Sequence, residues 1–413
     1  MVHPTFKHAI ALASIAFGLW LASRPTRAIP AFARSHGLDC AACHAPPPRL
    51  NAAGERFASS GFRIEAIDGR RDRPEIEGDF ASRLPLALRA DFGFQVQSAG
   101  EGSAFDDFSA PLGVWLLGAG QLADGLSAGL SFRLDRASSE GLEEAWLRFD
   151  DLLGSGLELT VGQIQITRPI FRPKHRLSFQ PYEMLAVRPG LSLADPAYDR
   201  GIQLAYRFSF GLDVTAAVLN GNGRYLQDIG ADLDIDKYKS YLLALGQELG
   251  PVRVGLFGYW GKEERDWTLG EDGLAVQIGT PRPNEVLLWG PDLLLSLGRA
   301  DIRAQYLMRR DLNPCFEARN PEHALLTHGV IIEALASLLG DPPELFLVML
   351  FNYTDSEAID SDSRPIREVS FTANLAYLLW QNVRLVGEYG FSPYRRGEIT
   401  NDHRAILGLV SGW

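Results

Sequence analysis

From residue 83 to the end of the chain, apolar and polar side chains alternate with a period of two. Leu126, Ala128, Leu130, Phe132 and Leu134 are interleaved with Ser127, Gly129, Ser131, Arg133 and Asp135. Ile202, Leu204, Tyr206 and Phe208 keep the same beat, as do Ala300, Ile302, Ala304, Tyr306 and Met308, and Val369, Phe371, Ala373, Leu375 and Tyr377. Such segments are strands with one apolar face and one that carries charge. Strands are predicted near 83–98, 112–121, 126–135, 143–150, 156–164, 199–209, 211–220, 239–248, 252–260, 287–297, 299–308, 325–337, 344–353, 367–378, 383–392 and 403–413. Their number is about sixteen, and even, as bacterial outer-membrane barrels require.

The connections separate a membrane barrel from a soluble sandwich. Ala123-Asp124-Gly125, Gly211, Gly250-Pro251, Gly298 and Gln381-Asn382 mark tight turns, and between them lie long polar connections at 99–111, 166–198, 221–238, 261–286, 309–324 and 354–367. Short turns alternating with long loops are the asymmetry of an outer-membrane barrel, with periplasmic turns and external loops. In the last strand Ala405, Leu407, Leu409, Ser411 and Trp413 share one face, and a terminal aromatic suits an interfacial girdle. The strand at 344–353 is apolar on both faces, so either it packs against the inserted N-terminal domain as well as lipid or its register differs.

The first eighty residues follow another pattern. Lys7 and His8 precede an apolar run from Ala9 to Leu21 and then Thr26-Arg27-Ala28, the layout of a secretory signal peptide over residues 1–28. Beyond it, Leu50, Ala53, Phe57 and Phe62 recur at near-helical spacing, with Gly61 as a stop. This small segment, 29–80, is too short to bury much core without a cofactor or a host surface. The barrel is expected over 81–413.

That small segment contains Cys40-Ala41-Ala42-Cys43-His44, the C-x-x-C-H attachment signature of a c-type haem. Two thiols add across the two vinyl groups of one porphyrin, and the following histidine is held beneath the iron as proximal ligand. A C-x-x-C disulfide and half of a zinc site compete with this reading; a zinc site wants a second Cys or His pair, and none follows. Export agrees with thioether attachment outside the cytoplasmic membrane. The formal charge of the whole chain is −11, and residues 1–28 carry cations and no acid, so the mature chain is more acidic still. Such a surface disfavours nucleic acid as a partner. A cationic substrate or a basic redox protein suits it better.

Ile29-Pro30-Ala31-Phe32-Ala33-Arg34, the haem motif, Arg49-Leu50-Asn51, Gly54, Phe57 and Gly61-Phe62-Arg63 together resemble the N-terminal domain of the outer-membrane monohaem cytochrome-porin fusions, whose best known members oxidise iron. The resemblance implies an all-β fold: a transmembrane outer-membrane barrel of about sixteen antiparallel strands, preceded by a small α-helical monohaem c-type cytochrome domain that plugs it. It implies one covalent haem c on Cys40 and Cys43, with His44 on the iron. It further implies that electrons pass from an extracellular donor, plausibly Fe(II), to a periplasmic cytochrome or other carrier. The chain departs from the iron-oxidising members directly after the motif, where Ala45-Pro46-Pro47-Pro48 replaces aromatic residues.

The distal iron ligand is not given by the motif. No methionine lies between residues 29 and 80, and His36 is only four residues before Cys40. His175 and Met184 sit in the long connection after the fifth strand, which could fold inward like a porin constriction loop. Asp228, Asp232, Asp234 and Asp236 on one loop, and Asp355, Glu357, Asp360 and Asp362 on another, could gather hard cations or simply be solvated surface. Cys315 stands alone on an external loop. No phosphate-binding glycine loop, H-E-x-x-H or G-x-S-x-G is present. Two other functions compete with the conduit: a solute porin plugged by the haem domain, supported by Arg133, Arg207 and Arg303 on expected lumen faces, and a soluble periplasmic haem carrier.

Overall fold

A computed structural model describes residues 32, 38–60, 62, 86–99, 103–135, 141–166, 170–224, 234, 236–269, 275–317, 324–340, 343–356, 366–395 and 398–412. The expected signal peptide, His36, Asp228, Asp232, Glu357, Asp360, Asp362 and Trp413 lie outside the described residues.

Among the described residues there are sixteen strands. They are β1 (Leu86–Ala99), β2 (Ser103–Ala123), β3 (Leu126–Arg133), β4 (Leu142–Phe149), β5 (Glu158–Gln165), β6 (Tyr198–Arg207), β7 (Leu212–Leu219) and β8 (Ser240–Leu249). The second half comprises β9 (Val252–Leu269), β10 (Ala275–Ser296), β11 (Ala300–Asp311), β12 (Leu325–Gly340), β13 (Pro343–Ser356), β14 (Ile366–Trp380), β15 (Val383–Arg395) and β16 (Glu398–Gly412). Each pairs antiparallel with its sequence neighbours, and β1 pairs with β16, Phe92 opposite Leu409, so the sheet closes into a barrel without an edge.

The alternation is inside out relative to a soluble protein. Leu130, Ile202, Leu204, Leu243, Met349, Phe371 and Leu375 are exposed on the outer surface, while Ser127, Ser131, Gln203, Thr372 and Asn374 between them are buried toward the lumen. An apolar exterior on a closed barrel is what a bilayer selects, since every backbone group is paired and only apolar side chains meet lipid. The chain is therefore an outer-membrane barrel. Tight turns at Gly250 (φ 65°) and Gly298 (φ 69°) take the left-handed backbone that glycine tolerates.

Two of the expected loops are strand instead. β2 has 21 residues and β10 has 22, and the β1–β2 and β9–β10 ladders run out to Ala99 opposite Ser103 and to Leu269 opposite Ala275. A transmembrane strand needs only about 9–11 residues. The remainder projects past the lipid, where both faces meet water and the alternation that marks a strand is lost.

The lumen is occupied. The connection between β5 and β6 turns inward and crosses it, burying Phe171, Leu177, Tyr182, Met184 and Leu185. A short helix in it, α2 once α1 (Ala52–Ser59) is counted first, spans Glu183–Ala186 and packs on β12 and β13. The wall supplies the polar partners that the crossing backbone would otherwise lack. Arg303 donates to the Ile170 carbonyl (3.2 Å), Arg309 to Ala194 (2.9 Å), Arg89 to Lys174 (3.2 Å), and the Phe179 N–H donates to Glu388 (2.7 Å). The inner apolar face of β13 is explained by the same segment: Phe346 and Val348 cluster with Leu177, and Leu350 with Met184. Its occupant is this connection, in place of the inserted N-terminal part.

Of the helical domain expected over 29–80, the described residues contain a single 3-10 turn, Cys40–Ala42, and the two-turn helix α1.

Candidate functional site

Local hydrogen bonds build the Cys40–His44 turn. His44 N–H donates to the Cys40 carbonyl (2.9 Å), and Asn51 N–H to the Cys43 carbonyl (2.9 Å). Asn51 is also the N-cap of α1: its side-chain oxygen accepts from Gly54 N–H (2.9 Å) while its amide donates to the carbonyls of Ala41 (3.1 Å) and Ala42 (3.3 Å). One side chain thus ties the motif to the helix. Gly54 allows the close approach, because a Cβ there would lie 2.1 Å from the Cys43 carbonyl oxygen.

The tautomer of His44 follows from its partner. Nδ1 lies 3.1 Å from the Arg49 carbonyl oxygen, which can only accept, so Nδ1 carries the proton and Nε2 keeps its lone pair. Burial lowers the His44 pKa, favouring the neutral ring. Burial pushes the Cys40 thiol up to about 11 and raises Cys43 as well. Redox-active C-x-x-C pairs have depressed thiol pKa values, so these two are not poised as a dithiol exchange site.

The segment sits inside the barrel at its short-turn end, the end that faces the periplasm in outer-membrane barrels. Gln381, in the β14–β15 turn, donates to Asp39 (2.7 Å), and Arg148 of β4 donates to the Ala58 carbonyl (2.7 Å). Deeper in, Arg49 forms a buried ion pair with Glu333 of β12 and donates to the Tyr182 hydroxyl (3.3 Å), which in turn donates to Glu333 (3.2 Å). These three groups join the N-terminal segment, the crossing segment and the wall.

Between the motif and the wall lies a cavity of 340 Å³, within the usual range for small-molecule sites. Cys40, Cys43 and His44 line it on one side, and His175 lines it from the 3-10 turn Pro173–His175 of the crossing segment. Burial drives the His175 pKa well down, with Arg172, Lys174 and then His44 adding to the effect, so both imidazoles are neutral. The rest of the lining is mostly apolar. Phe57 and Phe62 stand at 5.7 Å edge to face, Phe62 stacks on Trp146 of β4 at 6.4 Å, and Phe32 lies 5.0 Å from each phenylalanine. Phe62 takes a positive φ of 62°, uncommon for so bulky a residue.

The structure sorts the other candidates. Leu50, Phe57 and Phe62 reach the cavity, whereas Ala53 is exposed. Met184 lines no part of the cavity; its side chain packs against Gly329 of β12 within the apolar cluster. Asp234 is paired with Lys239, Asp355 with Arg367 (2.9 Å), and the Asp236 carboxylate accepts from the N–H groups of Tyr238 (2.7 Å) and Glu264 (3.0 Å). These three carboxylates hold loops together, and among the described residues no group of three or more His, Cys, Asp or Glu is placed to hold a metal ion. Cys315 abuts Gly190 of the crossing segment. Arg207 pairs with Glu248 (2.6 Å) near the short-turn end, while Arg133 and Arg303 do face the lumen.

The sequence reading missed Arg49, Tyr182, Glu333, Trp115 and Trp146. One signal was present: Glu333 interrupts an otherwise apolar run, Val330-Ile331-Ile332 before it and Ala334-Leu335 after it.

No family model and no curated protein matches the sequence. Solved structures do match the fold. The outer-membrane channel DcaP of Acinetobacter baumannii is 10% identical, with a TM-score of 0.55 over 79% of this chain and 96% of that one. An anion-selective porin from Comamonas acidovorans is 13% identical, with a TM-score of 0.52 over 79% and 98%. OmpT of Vibrio cholerae, in a loop-deleted form, is 11% identical, with a TM-score of 0.53 over 79% and 99%. At such identities the likeness is one of fold: a porin-type outer-membrane barrel.

Proposed function

We propose that this barrel carries one covalent c-type haem at the periplasmic mouth of its lumen and passes electrons from an extracellular donor, plausibly ferrous iron, to a periplasmic carrier such as a soluble cytochrome. One observation carries the reading: both thiols of a C-x-x-C-H motif, the histidine after it and a second neutral histidine from a distant segment line a single aromatic cavity. Bound there, the haem would supply reversible one-electron chemistry.

The chain's own residues divide the remaining work. Cys40 and Cys43 would hold the haem through thioethers, and His44, its proton kept on Nδ1 by the Arg49 carbonyl, would offer Nε2 to the iron. His175, which lines the same cavity, would be a further residue available to hold the iron. Phe57, Phe62 and Trp146 exclude water, which narrows the difference in hydration between the two charge states. Arg49, Tyr182 and Glu333 fix the depth of the segment in the lumen.

The test is the visible spectrum of the detergent-solubilised protein, oxidised, then after anaerobic ferrous iron, then after dithionite. Reduced c-type bands on adding iron are the expected result. Bands with dithionite alone leave the conduit and replace the donor. Absence of c-type bands overturns the haem reading.

A second reading, a solute porin plugged by the 38–62 segment, is favoured by the barrel itself and by the porins it is similar to in fold. It predicts conductance in planar bilayers that is indifferent to haem reduction.

A further inference from the structure

A second, larger cavity of 660 Å³ lies beside the aromatic one and shares Arg89, Trp115 and Lys174 with it. Its chemistry runs against the acidity of the chain. Among the described residues, seven arginines and Lys174 line it, against three carboxylates, Asp91, Glu143 and Asp195. Some of that charge is answered in place: Arg89 pairs with Asp91 (2.6 Å), Arg133 with Asp135 (2.9 Å), Arg188 with Asp195 (2.6 Å) and Lys174 with Glu144.

Arg384 of β15 makes no ion pair at hydrogen-bonding distance, although the carboxylates of Asp91 and Glu388 lie within electrostatic reach of it and of Arg176. Arg384 is only 2% exposed, and its Nε and Nη1 have no hydrogen-bond partner. Arg176, from the crossing segment, donates Nε to the Ser178 carbonyl (2.7 Å), a neutral acceptor. Leaving a buried guanidinium without a partner is costly, and an anion that takes its donors removes that cost. The planar fork of arginine suits oxyanions, which it engages through two parallel hydrogen bonds. The cavity also offers aromatic surface, since the guanidinium groups of Arg89 and Arg133 both lie over Trp115, at 4.8 and 4.9 Å.

We infer that the lumen contains a binding site for a multivalent oxyanion of the phosphate class, formed by Arg384 on the wall and Arg176 on the crossing segment. The site needs no haem. Its ligand enters a pocket in which cations outnumber carboxylates and stays because the buried fork of Arg384 and the half-buried fork of Arg176 close on it.

The experiment is calorimetric titration of inorganic phosphate, and separately pyrophosphate, into the detergent-solubilised full chain at fixed ionic strength, with chloride as the balancing anion. Saturable one-site binding is expected, tighter for pyrophosphate. Arg384→Gln weakens it about tenfold, the loss of one charged hydrogen-bonding partner, while Arg207→Gln, at the rim, leaves it unchanged. Heat-modifiable gel mobility checks that each variant is a folded barrel. Should Arg384→Gln not fold, Arg176→Gln, outside the wall, carries the same expectation. The inference is overturned by absence of saturable binding to the wild-type chain, or by an unchanged affinity in the folded variant.

Discussion

Two cavities share one lumen, three lining residues and the same surrounding wall, yet one is lined mainly by aromatic and aliphatic side chains while the other is a pocket of guanidinium groups. The difference arises from what the chain sends into the barrel. Into the aromatic cavity it sends the N-terminal segment, whose Phe62 stacks on Trp146, with the Arg172–His175 stretch of the crossing segment opposite; around the basic one the crossing segment sets Arg176 and Arg188 in the same lining as Arg384 and Arg265. A barrel wall with polar inner residues accepts either, because its side chains satisfy whatever backbone is presented. Chemistry in such a fold is set by inserted segments more than by strands.

Three substitutions press on this comparison. The largest effect is expected from His175→Ala, the histidine that the crossing segment contributes to the aromatic cavity. If the proposed haem is bound, covalent attachment should persist while its oxidised spectrum turns from low-spin to high-spin in visible and EPR measurements. An unchanged low-spin spectrum would remove His175 from the iron. Next is Arg49→Met, which strands Glu333 as an uncompensated buried carboxylate. A destabilisation of about 3–5 kcal/mol is expected in thermal unfolding, largely recovered when Glu333→Leu is added. If the single variant melts like the wild type, the tether does not hold the segment in place. The smallest effect belongs to Asn51→Ala, which removes the cap of α1 and the two bonds to the motif carbonyls. It should cost about 1 kcal/mol in a denaturant titration followed at the haem bands, with the barrel transition unmoved.

How far the sequence could be read depended on which solvent each residue meets. The sixteen strands and the turns at Gly250 and Gly298 were legible because lipid outside and water or protein inside impose a period of two on every strand. The projecting ends of β2, β9 and β10 were not, since beyond the lipid both faces are polar. Within the candidate site, Cys40, Cys43 and His44 were legible as a group because they form one short motif in the chain, and the structure places all three on one cavity. His175 and Met184 were equivalent candidates in the sequence, nine residues apart on one connection; folding turned one toward the motif and the other against Gly329.

The sequence by itself determined the barrel, its strand number, its alternating turns and the cysteine-histidine motif, all of which depend on neighbours along the chain. Only the tertiary structure decided that residues 170–197 fill the lumen, that Arg49 meets Glu333, and that Arg176 and Arg384 line one cavity. Those are encounters between segments far apart in sequence, governed by packing and charge compensation inside a closed space, and neither leaves a period or a spacing to read.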